Sequence, residues 1–238
     1  MNRKTISILL LASLIALGCI AAGCTDIPGA TPAGSGPPVD DPGNVTAGNT
    51  QFAFDLYRQL AADPQYTDQN LFFSPYSISS ALAITYEGAR GTTADEIRTV
   101  LHLPANDTLR REGFSAIDAG LNHGDANYTL RTANALWAEK TYPFLPEYID
   151  VAGRWYSANA TNLDFIDNPK GSRQTINQWV EGETEDRIRD LLPAGSVDTL
   201  TRLVITNAVY FKGTWVNQFD LNKTKEAEFR VGPNETVR

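Results

Sequence analysis

The clearest structural signal in this chain is the stretch LVITNAVYFKGTW, residues 203–215. Residues 203–211 are nearly all apolar, which is typical of a strand covered on both faces. Asn207 interrupts this run, and a buried amide without partners would cost about 1–3 kcal/mol. The sequence therefore predicts a buried strand whose central amide needs hydrogen-bond partners from a neighbouring element.

Helical patterns dominate the chain before this strand. Phe52, Leu56 and Leu60 recur at helical spacing behind an Asn or Thr cap near residue 49. Ser74 and Pro75 open a second helix, which is apolar all round and ends near residue 88. Further helices are predicted over about 93–101, 108–121, 146–155 and 170–187, and further strands over 128–137 and 162–166. Because the helices come first and the strands are interspersed, the predicted class is α+β.

Composition excludes several classes of protein. The chain has 238 residues, 42% of them hydrophobic, which is too apolar for a disordered chain. Its 20 basic and 28 acidic side chains give a net charge of -8, and this acidic balance argues against nucleic-acid binding. Two cysteines are too few for a disulfide scaffold or a zinc site built from cysteines.

The first 24 residues have the pattern of an export signal. Arg3 and Lys4 precede an uncharged stretch over 6–23, and small residues end it. A small residue followed by Cys resembles the lipobox of prokaryotic lipoproteins, and Cys24 fits better than Cys19 because polar residues follow it directly. A cleaved signal without lipid and a retained membrane anchor stay open as alternatives. All three predict a folded part outside the cytoplasm, and the favoured one predicts a membrane-anchored lipoprotein at the cell surface.

Residues 25–48 form a predicted tether. They contain five Pro and five Gly, a composition that buries little apolar surface. The predicted organisation is a signal over 1–24, a tether over 25–48 and an incomplete folded domain over 49–238.

Six Asn-x-Thr sequons are potential glycosylation sites in an exported protein. They also arise by chance in a chain rich in Thr and Asn, so the sequence alone assigns none of them. The six asparagines are Asn44, Asn106, Asn127, Asn159, Asn222 and Asn234.

Four segments in this order resemble the serpin family. They are NLFFSPYSIS at 70–79, YEGARGTTA at 86–94, INQWVEGETEDRI at 176–188 and LVITNAVYFKGTW at 203–215. The resemblance implies N-terminal helices packed on a large mixed or antiparallel main sheet, with the C-terminal part of the fold absent from this chain. Two departures, Glu87 in place of the common Leu and Asp186-Arg187 in place of Gly-Lys, are expected in surface turns.

The resemblance also implies a function and a set of site residues. Serpins inhibit serine or cysteine proteases as suicide substrates, and their cleaved reactive loop inserts into the main sheet. The reactive bond is expected beyond residue 238. Ser74, Ser77 and Asn207 match the polar shutter, where central strands part, and Trp215 matches the breach, where insertion begins. Simpler roles stay open: a helix cap for Ser74, packing for Ser77 and a core aromatic for Trp215.

Enzymatic functions are disfavoured by the motifs. The chain has no Gly-x-Ser-x-Gly elbow and no phosphate loop with its lysine. His102 and His123 have no metal-ligand spacing, and the acidic run 181–186 lacks the ligand pattern of a calcium loop. We expect a target protease as partner and neither metal nor cofactor. A non-inhibitory serpin that binds at the cell surface, or a truncated inactive fragment, are the alternative functions.

Overall fold

The computed structural model describes residues 44–66, 69–233 and 235–237. The predicted signal, both cysteines and the tether up to residue 43 lie outside the described residues. The α+β class is confirmed, with six α-helices and five strands in the described part of the chain. The helices are α1 Val45–Ala62, α2 Pro75–Gly88, α3 Gly91–Val100, α4 Asp107–Leu121, α5 Pro146–Tyr156 and α6 Pro169–Glu183. The strands are β1 Tyr128–Glu139, β2 Ala158–Leu163, β3 Leu203–Gly213, β4 Phe229–Gly232 and β5 Glu235–Val237.

Helix α1 begins earlier than the sequence pattern predicts. Asn44 caps it by accepting a hydrogen bond from the Ala47 amide at 3.0 Å, so residues 45–48 belong to the helix and not to the tether. Gly48 looked like a linker glycine, but a Cβ at this position would lie 2.3 Å from the carbonyl oxygen of His102. The glycine therefore permits close packing between α1 and the chain that follows α3.

Helix α2 follows the prediction, whereas α3 and β2 differ from it. Ser74 caps α2, and Pro75 occupies its first turn. Helix α3 begins at Gly91 without a side-chain cap, two residues before the predicted start. Strand β2 was expected over 162–166 because of the apolar pair near its end. Phe165 is instead buried in the turn after β2, where its amide donates to the Glu139 carboxylate at 2.6 Å.

The main sheet has the strand order β2-β1-β3. Strand β2 runs parallel to β1 after the crossover through α5, and β3 runs antiparallel to β1. The register places Asn134 of β1 opposite Asn207 of β3. Strands β4 and β5 form a separate antiparallel pair.

Two apolar cores cover the two faces of β1. On one face Leu136 and Ala138 pack with residues of α1, α2, α4 and α5. On the other face Ala135 and Trp137 pack with residues of α6 and the segment that follows it. The first half of β3 joins both cores, through Leu203 and Ile205 on the helical side and Val204 on the other, as expected for a strand covered on both faces. None of the helices in the described ranges is long and apolar enough to cross a membrane.

Candidate functional site

An amide bridge joins the two central strands. The Asn207 Nδ2 on β3 donates a hydrogen bond to Asn134 Oδ1 on β1 at 2.9 Å. Asn134 is 3% exposed and Asn207 is half-buried, so the bond is partly buried and pairs an Asn134 amide that would be costly to leave without a partner. Asn207 therefore has a hydrogen-bond partner, but the expectation that its partners lie beneath the sheet was wrong, because Asn134 belongs to the neighbouring strand.

The amide bridge continues into the helices beneath the sheet. Asn134 Nδ2 donates to Ser80 Oγ at 3.1 Å and to the carbonyl oxygen of Tyr156 at 2.8 Å. Ser80 lies in the middle of α2, and Tyr156 is the last residue of α5. We call the set Asn207, Asn134, Ser80 and the Tyr156 carbonyl the amide bridge. It connects β3, β1, α2 and α5 through polar contacts in an otherwise apolar core.

Ser74 and Ser77 do not supply the partners that the sequence predicted for Asn207. Ser74 Oγ accepts the Ser77 amide at 3.3 Å and so acts as the α2 cap. The Ser77 hydroxyl is buried without a hydrogen-bond partner among the described residues. A helix rises about 1.5 Å per residue, so Ser80 lies roughly 4.5 Å further along α2 than Ser77, at the level of the strand amides. The shutter role of Ser74 and Ser77 stays a prediction.

Sequence reasoning missed Asn134, although a signal was present. In the alternating pattern of β1, Asn134 occupies the same side as Leu136, which is fully buried. An amide at an inward position of a strand requires partners for the same reason as Asn207. The antiparallel register that pairs the two residues was not available from the local pattern.

The opposite face of the same strand pair carries a second polar contact. Trp137 Nε1 on β1 donates to Thr206 Oγ1 on β3 at 3.0 Å, and both residues are buried. The Trp137 ring meets the Trp179 ring of α6 edge to face, with centroids 5.7 Å apart. Strands β1 and β3 are therefore linked by side-chain hydrogen bonds on both faces at neighbouring positions.

Trp215 lies beyond the end of β3. Its side chain is 78% exposed, so it is not a core aromatic in the part of the chain that the structure describes. Other large apolar side chains nearby share this exposure. They are Phe211, Val216, Phe219 and Leu221, which together with Trp215 we call the apolar end of the molecule. The breach role of Trp215 stays a prediction.

The expectation that Glu87 lies in a surface turn was wrong. Glu87 is in the last turn of α2, with its side chain 2% exposed. Arg110 and Arg111 of α4 each donate twice to its carboxylate, at closest distances of 2.9 and 2.7 Å. The Tyr156 hydroxyl donates to the same carboxylate at 2.7 Å. Local pattern gave no sign of this cluster because its partners are more than twenty residues from Glu87.

The partners of Glu87 determine its ionisation. Burial raises the pKa of Glu87, but hydrogen bonds from Arg111 and Tyr156 and the charge of Arg110 outweigh burial and hold the pKa below its ordinary value of 4.5. The carboxylate is therefore ionised at neutral pH. Tyr156 belongs to both clusters, because its hydroxyl binds Glu87 while its carbonyl accepts from Asn134.

Neither of the two polar clusters in the described part of the chain has the side chains of a metal site. Within the described ranges no three His, Cys, Asp or Glu side chains lie close enough together to hold a metal ion. The polar groups of the amide bridge instead connect secondary-structure elements to each other.

Known proteins are similar to this chain in sequence. A family model described as serpin, serine protease inhibitor, matches residues 47–238. An uncharacterized serpin-like protein of Methanosarcina acetivorans is 44% identical over 194 residues, which cover 82% of this chain and 46% of that protein. The leukocyte elastase inhibitor of Bos taurus is 43% identical over 192 residues, 81% of this chain and 50% of that protein.

The fold of this chain is also similar to that of solved structures. Ovalbumin from the emu superimposes with a TM-score of 0.76 at 31% identity, covering 82% of this chain and 53% of that chain. The chain thus spans about half the length of the curated relatives and solved structures that it matches.

Proposed function

This chain belongs to the serpin family, and we propose that it forms the first half of an exported inhibitor of serine or cysteine endopeptidases. The elastase inhibitor of Bos taurus, 43% identical, supports an inhibitory function. The observation that carries the proposal is the amide bridge between β1 and β3. In the family's inhibitory cycle the main sheet opens to admit the cleaved reactive loop as an extra strand.

The amide bridge provides a physical basis for such opening. If central strands were held only by apolar packing, separating them would expose apolar surface at about 25 cal/mol per Å². Amide groups can exchange one hydrogen-bond partner for another, so a strand that moves is able to recover part of the lost interaction from new neighbours. Asn207 and Asn134 pair near the middle of the β1–β3 ladder, and in this proposal their amides supply the groups that exchange partners.

The reaction that we propose begins as ordinary proteolysis. The protease nucleophile attacks the scissile carbonyl of the reactive loop, an acyl-enzyme bond forms, and the peptide bond breaks with release of a new amino terminus. Insertion of the cleaved loop before water hydrolyses the acyl-enzyme would trap the protease. The loop belongs to the part of the family's domain that this chain does not span.

The test is formation of a covalent complex. The full-length protein is incubated with chymotrypsin-like, trypsin-like and papain-like proteases, and we expect a complex with at least one that survives boiling in detergent. Cleavage of the protein without any stable complex would contradict insertion. A folded protein that neither is cleaved nor forms a complex would favour the non-inhibitory, surface-binding alternative.

We further propose that Cys24 carries the lipid that holds the protein at the cell surface, with Cys19 as the alternative. The sequence supports this through the small residues before each cysteine and the polar residues after Cys24. A Cys24→Ser variant is expected to lose incorporation of a labelled fatty acid, while Cys19→Ser, the matched control, keeps it. The reverse result would assign the lipid to Cys19, and no incorporation in the unchanged protein would contradict lipidation.

A further inference from the structure

The sequons of this chain are more frequent than composition explains. The sequence contains sixteen Asn and 23 Thr among 238 residues, which by chance would put Thr two positions after fewer than two of the asparagines. Six asparagines have Thr at that position. The motif that an oligosaccharide-transferring enzyme recognises is therefore enriched.

The sequon asparagines differ in exposure from the asparagines that form hydrogen bonds in the core. All five sequon asparagines within the described residues are exposed: Asn44, Asn106, Asn127, Asn159 and Asn222. Asn234 lies outside the described residues. The asparagines that hold the core, Asn134, Asn177 and Asn207, are followed at the second position by Leu136, Trp179 and Val209 and are not sequons.

The hydrogen bonds of the sequon asparagines are compatible with a sugar. An N-linked glycan replaces one hydrogen of Nδ2 and leaves the carbonyl oxygen and one N–H in place. Asn44 and Asn106 use only their Oδ1 atoms, to cap α1 and α4 at 3.0 Å. Modification would therefore leave both helix caps intact.

Asn127 has the most suitable backbone environment of the five. Asn159 is held in the β1–β2 ladder, Asn222 lies in a short helical turn, and Asn44 and Asn106 begin helices. Asn127 lies in the loop between α4 and β1, outside any helix or strand, while Tyr128 and Thr129 of its sequon form the two terminal pairs of the β1–β3 ladder. An enzyme reaches an acceptor asparagine more easily on loop backbone than within a helix or a ladder.

The groups around Asn127 leave its amide accessible. Asp125 Oδ1 accepts the Asn127 backbone amide at 2.7 Å and one Nδ2 hydrogen at 3.1 Å, so the second Nδ2 hydrogen is not used in this turn. Thr129, the recognition residue, is exposed at the start of β1. Gly124, with φ of +80°, adopts a left-handed backbone conformation in the same loop, which glycine tolerates without strain.

We propose that Asn127 carries an N-linked glycan, an inference that rests on the proposed export of the protein. The donor is an oligosaccharide linked through phosphate or pyrophosphate to a lipid. A bond forms between Asn127 Nδ2 and C1 of the first sugar, the bond from C1 to the phosphate oxygen breaks, and Nδ2 loses one proton as the lipid phosphate leaves. No oxidant or reductant is required.

Mass spectrometry of one peptide tests the proposal. Trypsin releases residues 112–131 as a single peptide with one sequon and with Asn122 as an internal non-sequon control. The protein is expressed with its leader in cells that N-glycosylate exported proteins. We expect a population of this peptide to carry an oligosaccharide mass that fragmentation places on Asn127 and not on Asn122.

Three variants separate glycosylation from a structural effect. Asn127→Gln and the near-isosteric Thr129→Val should both reduce the modified peptide to background, while Thr129→Ser keeps the sequon and should retain it. An unmodified peptide in a protein whose leader has been removed would overturn the proposal while leaving export intact. An unmodified peptide in a protein that retains its leader would contradict both proposals, and a glycan that persists in Thr129→Val would contradict recognition of this sequon.

Discussion

Glu87 is a charged residue whose side chain is buried among hydrogen-bond donors. Leu is common at this position in the serpin family, and a carboxylate there has to be balanced inside the protein. Arg110, with its side chain 1% exposed, provides that balance, together with Arg111 and the Tyr156 hydroxyl. Removing one member of a buried ion pair costs more than the pair contributes, because the other charge stays buried.

The first prediction concerns Glu87→Leu, which restores the residue common in the family. We expect it to destabilise the protein by about 3–5 kcal/mol, since Arg110 would be left buried without its main partner. Urea unfolding of the full-length protein measures the change. Arg111→Leu is the control, with a smaller loss because the Arg111 side chain is 27% exposed. Unchanged stability in Glu87→Leu would show that the cluster contributes nothing.

Asp186, the second departure from the family pattern, does lie in an exposed turn. Its φ of +58° is in the left-handed region, as is that of Glu185 at +50°. Glycine adopts this region without steric cost, whereas L-residues with side chains lose about 1–2 kcal/mol there, less for Asp. The Gly usual at this position in the family therefore has a conformational reason.

Asp186→Gly is accordingly expected to stabilise the protein by roughly 0.5 kcal/mol. This is the free energy gained by removing backbone strain from the folded state, less the free energy lost because glycine raises the conformational entropy of the unfolded chain. The unfolding midpoint in urea provides the measurement. Gly195→Ala, at a φ of +87°, is the opposite substitution in the same type of backbone and should destabilise. A loss of stability in Asp186→Gly would show that the aspartate side chain contributes more than the backbone strain removes.

Strands β1 and β3 are the elements on which the proposed function depends. Their pairing runs from Tyr128 to Ala138 on β1, and the amide bridge lies near its middle. Asn134 forms side-chain hydrogen bonds with three groups, whereas Asn207 forms one, with Asn134, so their removal should have unequal effects.

We expect Asn207→Ala to destabilise by about 1–2 kcal/mol and Asn134→Ala by more, since the second change leaves several buried polar groups unpaired. Asn162→Ala on the exposed side of β2 is the control and should change stability by less than about 0.5 kcal/mol. Thermal unfolding of the three variants gives the order. Equal effects of Asn134 and Asn207 would contradict the described connectivity.

At the level of elements, periodicity predicted most of the structure correctly. Helices α2, α5 and α6 and strand β1 have their apolar faces where the spacing placed them. Strand β3 is covered only in its first part, since Phe211 is 66% exposed, and Leu109 of the predicted α4 face is exposed as well. The predicted bounds of β2 were wrong because Phe165 is buried in a turn and not in a strand. Its backbone amide donates to Glu139, and a contact between such distant residues cannot be detected from an alternating pattern. The amide bridge and the Glu87 cluster were missed for the same reason, since each joins residues from separate elements.

The whole molecule is expected to lose stability in acid. Burial raises the pKa of Glu139, but amide donors at Phe165 and Thr141 outweigh it, so that the pKa of Glu139, like that of Glu87, lies below 4.5. Groups with lowered folded pKa values contribute stability that is present above the unfolded value and lost as pH falls through the folded value.

The urea midpoint should therefore fall as pH decreases below 4.5, the ordinary value for Glu. In Glu87→Gln the decrease between neutral and acid pH should be smaller, because one of the responsible carboxylates is gone. A midpoint that stays constant or rises on acidification would contradict the lowered pKa values.

The apolar end also belongs to the scale of the whole molecule. Phe211, Trp215, Val216, Phe219 and Leu221 are each at least 66% exposed, a concentration that soluble monomers avoid. A polypeptide of residues 25–238, without the predicted signal, is expected to bind hydrophobic dyes and to self-associate, which sedimentation measures. Phe219→Ser should reduce association, whereas Phe54→Ser, at a position 64% exposed on α1, is the control and should not. A monomeric chain that binds no dye would contradict the expectation.

The Glu87 cluster also constrains how this family can diversify. The carboxylate buried at position 87 depends on donors from positions 110, 111 and 156, and the guanidinium at 110 loses its buried charge partner when the carboxylate is removed. A lineage passing between Leu and Glu must therefore change both positions nearly together or cross an unstable intermediate. Among homologues, these two columns should covary, and ancestors reconstructed at the transition should show sign epistasis between them.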